Sequence, residues 1–343
     1  MKRYLNTLFV TTQGSYLSKE GESVIVSVKR ETKLRVPIIS LGSIVCFGNV
    51  LCSPFLLGFC CKNNVTISFM SERGRFLARV DGPVSGNVLL RREQYRRADN
   101  PEASAKIARS IVIGKIANSR TVLQRSVRDH GEVSGAQRIK QMADRIGQHL
   151  RKLRQELSLD TIRGIEGDAS RSYFSVFDSM ITSQKEEFIF RFRNRRPPKD
   201  NVNCLLSFIY TILLHDVRSA LETVGLDPQV GFLHRDRPGR PSLALDMMEE
   251  FRAPFADRLA LSLINLKQVR QGGFIKSEAG GIHMTDETRK TLLIAYQKRK
   301  QDMIEHPFLG EQMQIGLLFH IQALLLARFL REDIDGYPPF IWK

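Results

Sequence analysis

No two cysteines in this chain have CxxC spacing, and no pair of histidines completes a zinc pattern. The five cysteines, Cys46, Cys52, Cys60, Cys61 and Cys204, are odd in number and two of them are adjacent. That argues against a disulfide framework and for reduced, mostly buried thiols in a cytoplasmic protein. A GxxxxGK[ST] phosphate loop is missing, as are a GxGxxG after a strand and a GxSxG elbow. No nucleotide cofactor, dinucleotide site or hydrolase nucleophile of those kinds is expected. Long apolar runs are scarce too. The stretch 36–61 has no charged residue, but Pro37, Gly42, Gly48, Asn49, Ser53 and Pro54 interrupt it, which suits short buried strands rather than a membrane span. The N-terminus has a basic start without the long apolar core of a signal peptide. Acidic residues are the last deficit: 36 Asp+Glu stand against 52 Lys+Arg, a formal charge of +16. Such a chain calls for a polyanionic partner, most simply nucleic acid, with an anionic membrane as the competing reading.

What is present supports a folded protein. Hydrophobic residues make up 42% of 343, enough to bury a core and to exclude disorder. Over the first 80 residues or so, segments at 5–11, 23–28, 36–40 and 64–70 are rich in Val, Ile, Phe and Thr and are separated by turns, so they read as strands. Ser53-Pro54 can start a short helix. After an Arg-rich stretch the period changes to that of helices, expected at 105–128, 137–157, 161–182, 202–224, 243–263, 286–303 and 311–330, with a small hairpin in 272–285. The expected fold class is α+β: a β domain over 1–90, a basic linker over 91–100, and a larger all-α domain over 101–343.

Two clusters stand out chemically. Glu166 shares a helix face with Ile162, Ala169 and Tyr173, the face that should point inward. A carboxylate there needs a metal ion, a cationic side chain or a turn toward solvent. His234 precedes a Pro/Gly-rich loop, after which a helix begins near Ser242. On that helix Asp246, Glu249 and Glu250 share one stripe, where like charges repel unless a cation binds them. Read without the cation, His234 is a core or loop histidine and the acidic trio a solvated face. Two carboxylates and one imidazole make a hard O/N donor set that suits Mg²⁺ or Mn²⁺ better than structural zinc. His130, His149, His283, His306 and His320 have no obvious acidic partner in the sequence.

Basic residues border these clusters. Arg191, Arg193, Arg195, Arg196 and Lys199 crowd a segment with Phe188, Phe190 and Phe192. Arg235, Arg237 and Arg240 follow His234 directly. The expected DNA contacts are Arg193, Arg195, Arg196, Arg235, Arg237 and Arg240, acting on the phosphate backbone, since no base-reading motif is present.

The chain resembles the CRISPR-associated protein 1 family. The resemblance runs through Ile67-Ser-Phe-Met-Ser-Glu-Arg-Gly, Gly164-Ile-Glu-Gly-Asp-Ala-Ser-Arg-Ser-Tyr-Phe, Arg196-Pro-Pro-Lys-Asp-Asn, Gly225-Leu-Asp-Pro, Gly231-Phe-Leu-His and Leu243-Ala-Leu-Asp-Met-Met-Glu-Glu-Phe-Arg. The ending Gly336-Tyr-Pro-Pro-Phe-Ile-Trp looks like the subtype that accompanies type I-C systems. The resemblance implies a metal-dependent DNA endonuclease and integrase of spacer acquisition, a homodimer, and a CRISPR-associated protein 2 dimer bridging two such homodimers. By position it implies Glu166, His234 and Glu249 as metal ligands, with Asp246 as a further acidic residue of the site and Glu250 ranked below Glu249. No membrane partner is implied.

Overall fold

The computed structural model describes residues 6–72, 76–80, 82, 88–129, 135–278 and 280–342. His130 lies outside them. The chain forms an N-terminal β region followed by a mostly helical region. It divides into two compact units. The first holds Met1–Asn87 with Leu293–Asp302 and Gln314–Leu317; the second holds Val88–Leu292, Met303–Met313 and Leu318–Lys343.

In the first unit, β1 (Asn6–Val10), β5 (Leu41–Phe47), β7 (Thr66–Met70) and β8 (Phe76–Val80) form one sheet in the order β1-β5-β7-β8. A second sheet has the order β4 (Glu31–Pro37), β3 (Ser23–Val28), β2 (Ser15–Glu20), β6 (Val50–Cys52). β5 is central and parallel to both neighbours, with Ile44 opposite Leu8 and Ile67. Its near-continuous apolar sequence follows from burial on both faces. The segment 36–40, expected as a strand, instead ends β4 and turns through a 3-10 helix at Ile38–Ser40. Helix α1 (Pro54–Lys62) begins as the sequence indicates, with the Ser53 hydroxyl accepting the Leu56 N–H and Pro54 in the first turn. Leu17, Val24, Ile44, Cys46, Leu56, Cys60 and Ile67 fill this core. All five cysteines are free thiols.

The second unit opens with α2 (Val88–Asp99), which takes in most of the stretch expected as a basic linker. Its inward row is short, Leu90 and Gln94, and the surrounding arginines hide it in the sequence. The Gln94 amide donates to the carbonyls of Asp227 and Val230, both at 2.8 Å, and its oxygen accepts the Asp227 N–H. Helix α3 (Pro101–Asp129) is the central beam, packing on α4 (Ala136–Lys152), α5 (Leu159–Phe174) and α7 (Ser242–Phe251). Helix α6 (Asn201–Val224) ends on Gly225 at φ +95°, a left-handed cap that glycine adopts without a Cβ penalty. By length and composition α6 could cross a membrane, but 61% of its apolar window is buried inside the protein, the position of a core helix.

The helix expected over 243–263 is broken. After α7 the chain widens into a π turn, Arg252–Asp257, before α8 (Arg258–Asn265). Pro254 has no N–H to donate, and its ring crowds the carbonyl four residues earlier, so a regular α-helix cannot continue through it. The small hairpin is present as β9 (Phe274–Lys276) paired antiparallel with β10 (Ile282–Met284). Helix α9 (Asp286–Gln301), strands β11 (Met303–Glu305) and β12 (Gln312–Gln314) and helix α10 (Ile315–Leu330) complete the chain.

Candidate metal centre and its surroundings

Three helices of the second unit build the site. The expected inward face of α5 is observed: Ile162, Ala169 and Tyr173 are buried, and the Glu166 side chain, 25% exposed, stands on the same face. Its Oε1 accepts from the Lys115 ammonium and from the Ser170 hydroxyl at 2.9 Å. Lys115 comes from α3. It sits in the row of buried Ile107, Ile111 and Ser119, and its Nζ also lies 2.8 Å from Glu249 Oε2. Glu249, on α7, is 2% exposed, and its Oε1 pairs with Arg252 Nη1 at 2.8 Å. Glu166 and Glu249 therefore meet across one ammonium.

The charges around Glu249 set its ionisation. Burial would push its carboxyl up, but Arg252, Lys115 and His234 overcome that and hold it down at about 2. The carboxylate stays ionised throughout the neutral range. The Lys115 ammonium faces the buried Oε2 as an ion pair, without the angles of a good hydrogen bond. Two carboxylates converging on one point, one of them ionised and buried, suit a hard divalent cation.

His234 is fixed by Asp246, which is fully buried. Asp246 Oδ2 accepts the backbone N–H groups of Phe232 and Leu233 at 2.7 and 2.9 Å. Its Oδ1 accepts the His234 N–H at 2.9 Å and lies 2.6 Å from His234 Nδ1. An ionised carboxylate can only accept, so Nδ1 is the nitrogen that donates to Asp246, and in the neutral ring Nε2 is the one left with its lone pair. Asp246 thus spends both oxygens on holding the loop and the ring, and it acts on the site through His234. Gly231 permits this approach: a Cβ there would sit 2.7 Å from Asp246 Oδ2 and 2.8 Å from the Ser242 carbonyl carbon. Arg163, one turn before Glu166, donates from Nε to the Leu233 carbonyl at 2.6 Å and ties α5 to the His234 loop.

Among the described residues, no three His, Cys, Asp or Glu side chains stand together as a ready metal site. The structure joins Glu166 to Glu249 and His234 to Asp246. His234 is close enough that its ring, when protonated, lowers the Glu249 carboxyl. Glu250, the neighbour ranked below Glu249, points elsewhere. It is fully buried and accepts from the Tyr337 hydroxyl at 2.7 Å, the Phe340 N–H at 2.8 Å and the Gln322 amide at 2.9 Å.

Burial pushes the Glu250 carboxyl up to about 8, the three donors only partly offsetting it. The folded state therefore favours its neutral form. That contribution to stability is fully present below about pH 4.5 and is lost as pH rises toward 8. We expect wild type to lose a few kcal/mol relative to Glu250→Gln over this range. Urea unfolding of both proteins at pH 5 and pH 8.5 checks it, and an unchanged difference between them would refute it.

A cleft of about 620 Å³ opens beside the glutamates, lined by Glu166, Glu249, Lys115, Arg252, Tyr210 and Phe192 among others. Of the expected DNA contacts, Arg195 lines this cleft and is exposed, and Arg196, Arg235 and Arg237 are exposed while Arg240 is half-buried. Arg193 differs. Its Nη1 donates to the Asn203 side-chain oxygen at 2.6 Å and its Nη2 to the Ser207 hydroxyl at 3.1 Å. These bonds commit it to ordering the wall. His149, which showed no acidic partner in the sequence, lies with Nε2 2.8 Å from Asp168 Oδ2. The pair forms across the packing of α4 on α5, beyond the reach of spacing within one helix.

Sequence reading missed Lys115 and Arg252. The signal for Lys115 was a charged residue in the row of Ile107, Ile111 and Ser119, which is otherwise uncharged. Arg252 sat three residues after Glu249, but only the π turn shows where it points.

The family model of CRISPR associated protein Cas1 matches residues 8–298. The chain belongs to the Cas1 family. It is 57% identical over its whole length to CRISPR-associated endonuclease Cas1 1 of Chlorobaculum tepidum, covering 100% of both chains. It is 50% identical to CRISPR-associated endonuclease Cas1 2 of Rhodospirillum rubrum, again over 100% of both. Among solved structures, a Cas1 protein from Thermotoga maritima superposes with a TM-score of 0.80 at 25% identity, covering 95% of this chain and 97% of that one. A casposase bound to its integration product has the same fold, with a TM-score of 0.84 at 22% identity over 98% and 94% of the two chains.

Proposed function

We propose that this Cas1-family chain is a Mg²⁺- or Mn²⁺-dependent DNA endonuclease and integrase of CRISPR spacer acquisition. The observation that carries the reading is the meeting of Glu166 and Glu249, from α5 and α7, beside His234. Glu166, Glu249 and Nε2 of His234 would hold the cation, which when bound polarises the scissile phosphate and favours ionisation of the attacking hydroxyl. Asp246 keeps the imidazole in the tautomer that leaves Nε2 available. Arg235, Arg237 and Arg240 follow His234, Arg195 lines the cleft, and Arg196, its exposed neighbour in the chain, extends the positive charge, so phosphates can be tracked past the site. Arg252 and Lys115 place positive charge where the phosphate becomes crowded.

In integration the 3′-hydroxyl of a captured fragment attacks a phosphodiester of the repeat. One P–O bond forms, one breaks, and the displaced 3′-oxygen leaves as a hydroxyl. Bond energy is roughly conserved, so no nucleotide is consumed. Water in place of the hydroxyl gives hydrolysis.

The name of a solved relative, a Cas6-RT-Cas1–Cas2 complex, supports a Cas2 partner. We assign the chain to a homodimer, with a Cas2 dimer bridging two of them, in the cytoplasm. The segment Gly336–Trp342 supports the subtype of type I-C systems.

Incubation with a splayed DNA, a donor strand and a repeat duplex in Mn²⁺ tests the reading. Donor joined to repeat supports it. Cleavage without joining would make the chain a general nuclease for branched DNA or RNA, and binding alone would make it a DNA scaffold. Affinity should fall steeply with salt, and Arg235→Ala with Arg237→Ala should flatten log K against log salt by roughly one unit per lost phosphate contact. A slope unchanged by these substitutions would remove the arginines from the DNA path.

A further inference from the structure

Lys115 occupies the place where the two glutamates meet. Its ammonium contacts Glu166 and lies 2.8 Å from Glu249, and its side chain is only 12% exposed. Arg252 pairs with the other oxygen of Glu249. Two carboxylates and two cations sum to zero, so the cluster is already neutral. A divalent ion entering such a cluster meets repulsion from both cations unless one withdraws. Arg252 is held by its place on the π turn and lies 5.1 Å from the Tyr210 ring. Lys115 reaches the glutamates on a flexible four-carbon stem and lines the open cleft.

We propose that Lys115 is a tethered counter-ion that fills the position between Glu166 and Glu249 in the metal-free protein and is displaced when a divalent cation binds there. This rests on the metal-dependent reading above. Lys115 holds the two carboxylates together before the ion arrives and sets the affinity with which it enters. The displaced ammonium is left beside the cleft, where a DNA phosphate can take it up, so metal and DNA bind with positive linkage.

The test is Mn²⁺ binding to the full-length, DNA-free protein, with free Mn²⁺ counted by its electron paramagnetic resonance. Lys115→Met should bind Mn²⁺ roughly tenfold more tightly than wild type, and adding Glu166→Gln should abolish that gain. Equal affinities in wild type and Lys115→Met, with binding still lost in Glu166→Gln, would overturn the role of Lys115 and leave the metal site standing. No Mn²⁺ binding sensitive to Glu166→Gln in either background would overturn both. Acetylation of wild type by an amine-reactive ester, read by mass spectrometry, needs no Lys115 variant. At Mn²⁺ concentrations that saturate the site, labelling of Lys115 should rise several-fold over the metal-free protein. Unchanged labelling would overturn the displacement.

Discussion

Glu249→Ala should cost this protein both activity and fold, whereas Glu166→Gln should cost activity alone. Glu249 is the counter-charge of two cations that are themselves nearly buried: the Arg252 side chain is 13% exposed and that of Lys115 is 12%. Removing the carboxylate leaves a guanidinium inside the protein without its ion pair, a loss of about 3–5 kcal/mol. Such a loss is a large part of the stability of an ordinary domain. Glu166 is more exposed, and a glutamine there can still accept from Lys115 and Ser170. Its loss should fall on the chemistry, by roughly a thousandfold, the rate equivalent of several kcal/mol of charge stabilisation. Thermal unfolding followed by circular dichroism and single-turnover cleavage in Mn²⁺ separate the two effects. An unshifted melting curve for Glu249→Ala, or full cleavage by Glu166→Gln, would contradict the assignment. The same ion pairs give an acid limit. With its folded carboxyl at about 2, Glu249 contributes stability above about pH 4.5 and loses it only as pH falls from there through 2.

The second large effect is expected from Asp246→Asn. The substitution keeps the shape but replaces one acceptor oxygen with an NH₂ group. Asp246 receives three backbone N–H groups as well as the imidazole, so at least one donor would then face a donor. Leaving buried donors unpaired costs about 1–3 kcal/mol each. The imidazole also loses the partner that fixes its tautomer, and metal affinity and cleavage should fall roughly 10–100-fold. The ¹⁵N shifts of the His234 ring report the tautomer directly, which loss of stability alone would not change. A variant that keeps the proton on Nδ1 and cleaves normally would show that Asp246 does no more than brace the loop.

How much of this was legible in the sequence differs from element to element. Helices with long apolar rows, such as α3 and α6, were plain, because a 3.6-residue period persists over many turns. Glu166 was legible for the same reason: it interrupts an otherwise apolar face. Strands β6 and β8 were not separated from their turns, since short segments at sheet edges carry little alternation, and β2, although internal, is polar and charged after Leu17. Pro254 breaks α7 from α8, while the apolar residues on both sides keep a helical period that reads as one continuous helix. The pairing of His234 with Asp246 and the bridge through Lys115 depend on which helices pack together. Spacing along one helix says nothing about that. Of three carboxylates on one stripe, only the fold shows that Asp246 steadies the histidine, Glu249 faces the cleft and Glu250 turns away.

That division of labour along α7 extends to the end of the chain. Asn118, one turn after Lys115 on α3, donates to the carbonyls of Glu250 and Phe340 at 2.7 and 2.9 Å and accepts the Trp342 N–H at 2.7 Å. The Trp342 ring in turn lies beneath the guanidinium groups of Arg125 and Arg258, at 3.8 and 4.3 Å. A saturation screen scored by DNA joining would therefore rank Asn118 and Trp342 beside the proposed ligands, though neither belongs to the cluster of Glu166, Glu249 and His234. A second screen scored by protein abundance would be needed to tell the scaffolding apart from the machinery.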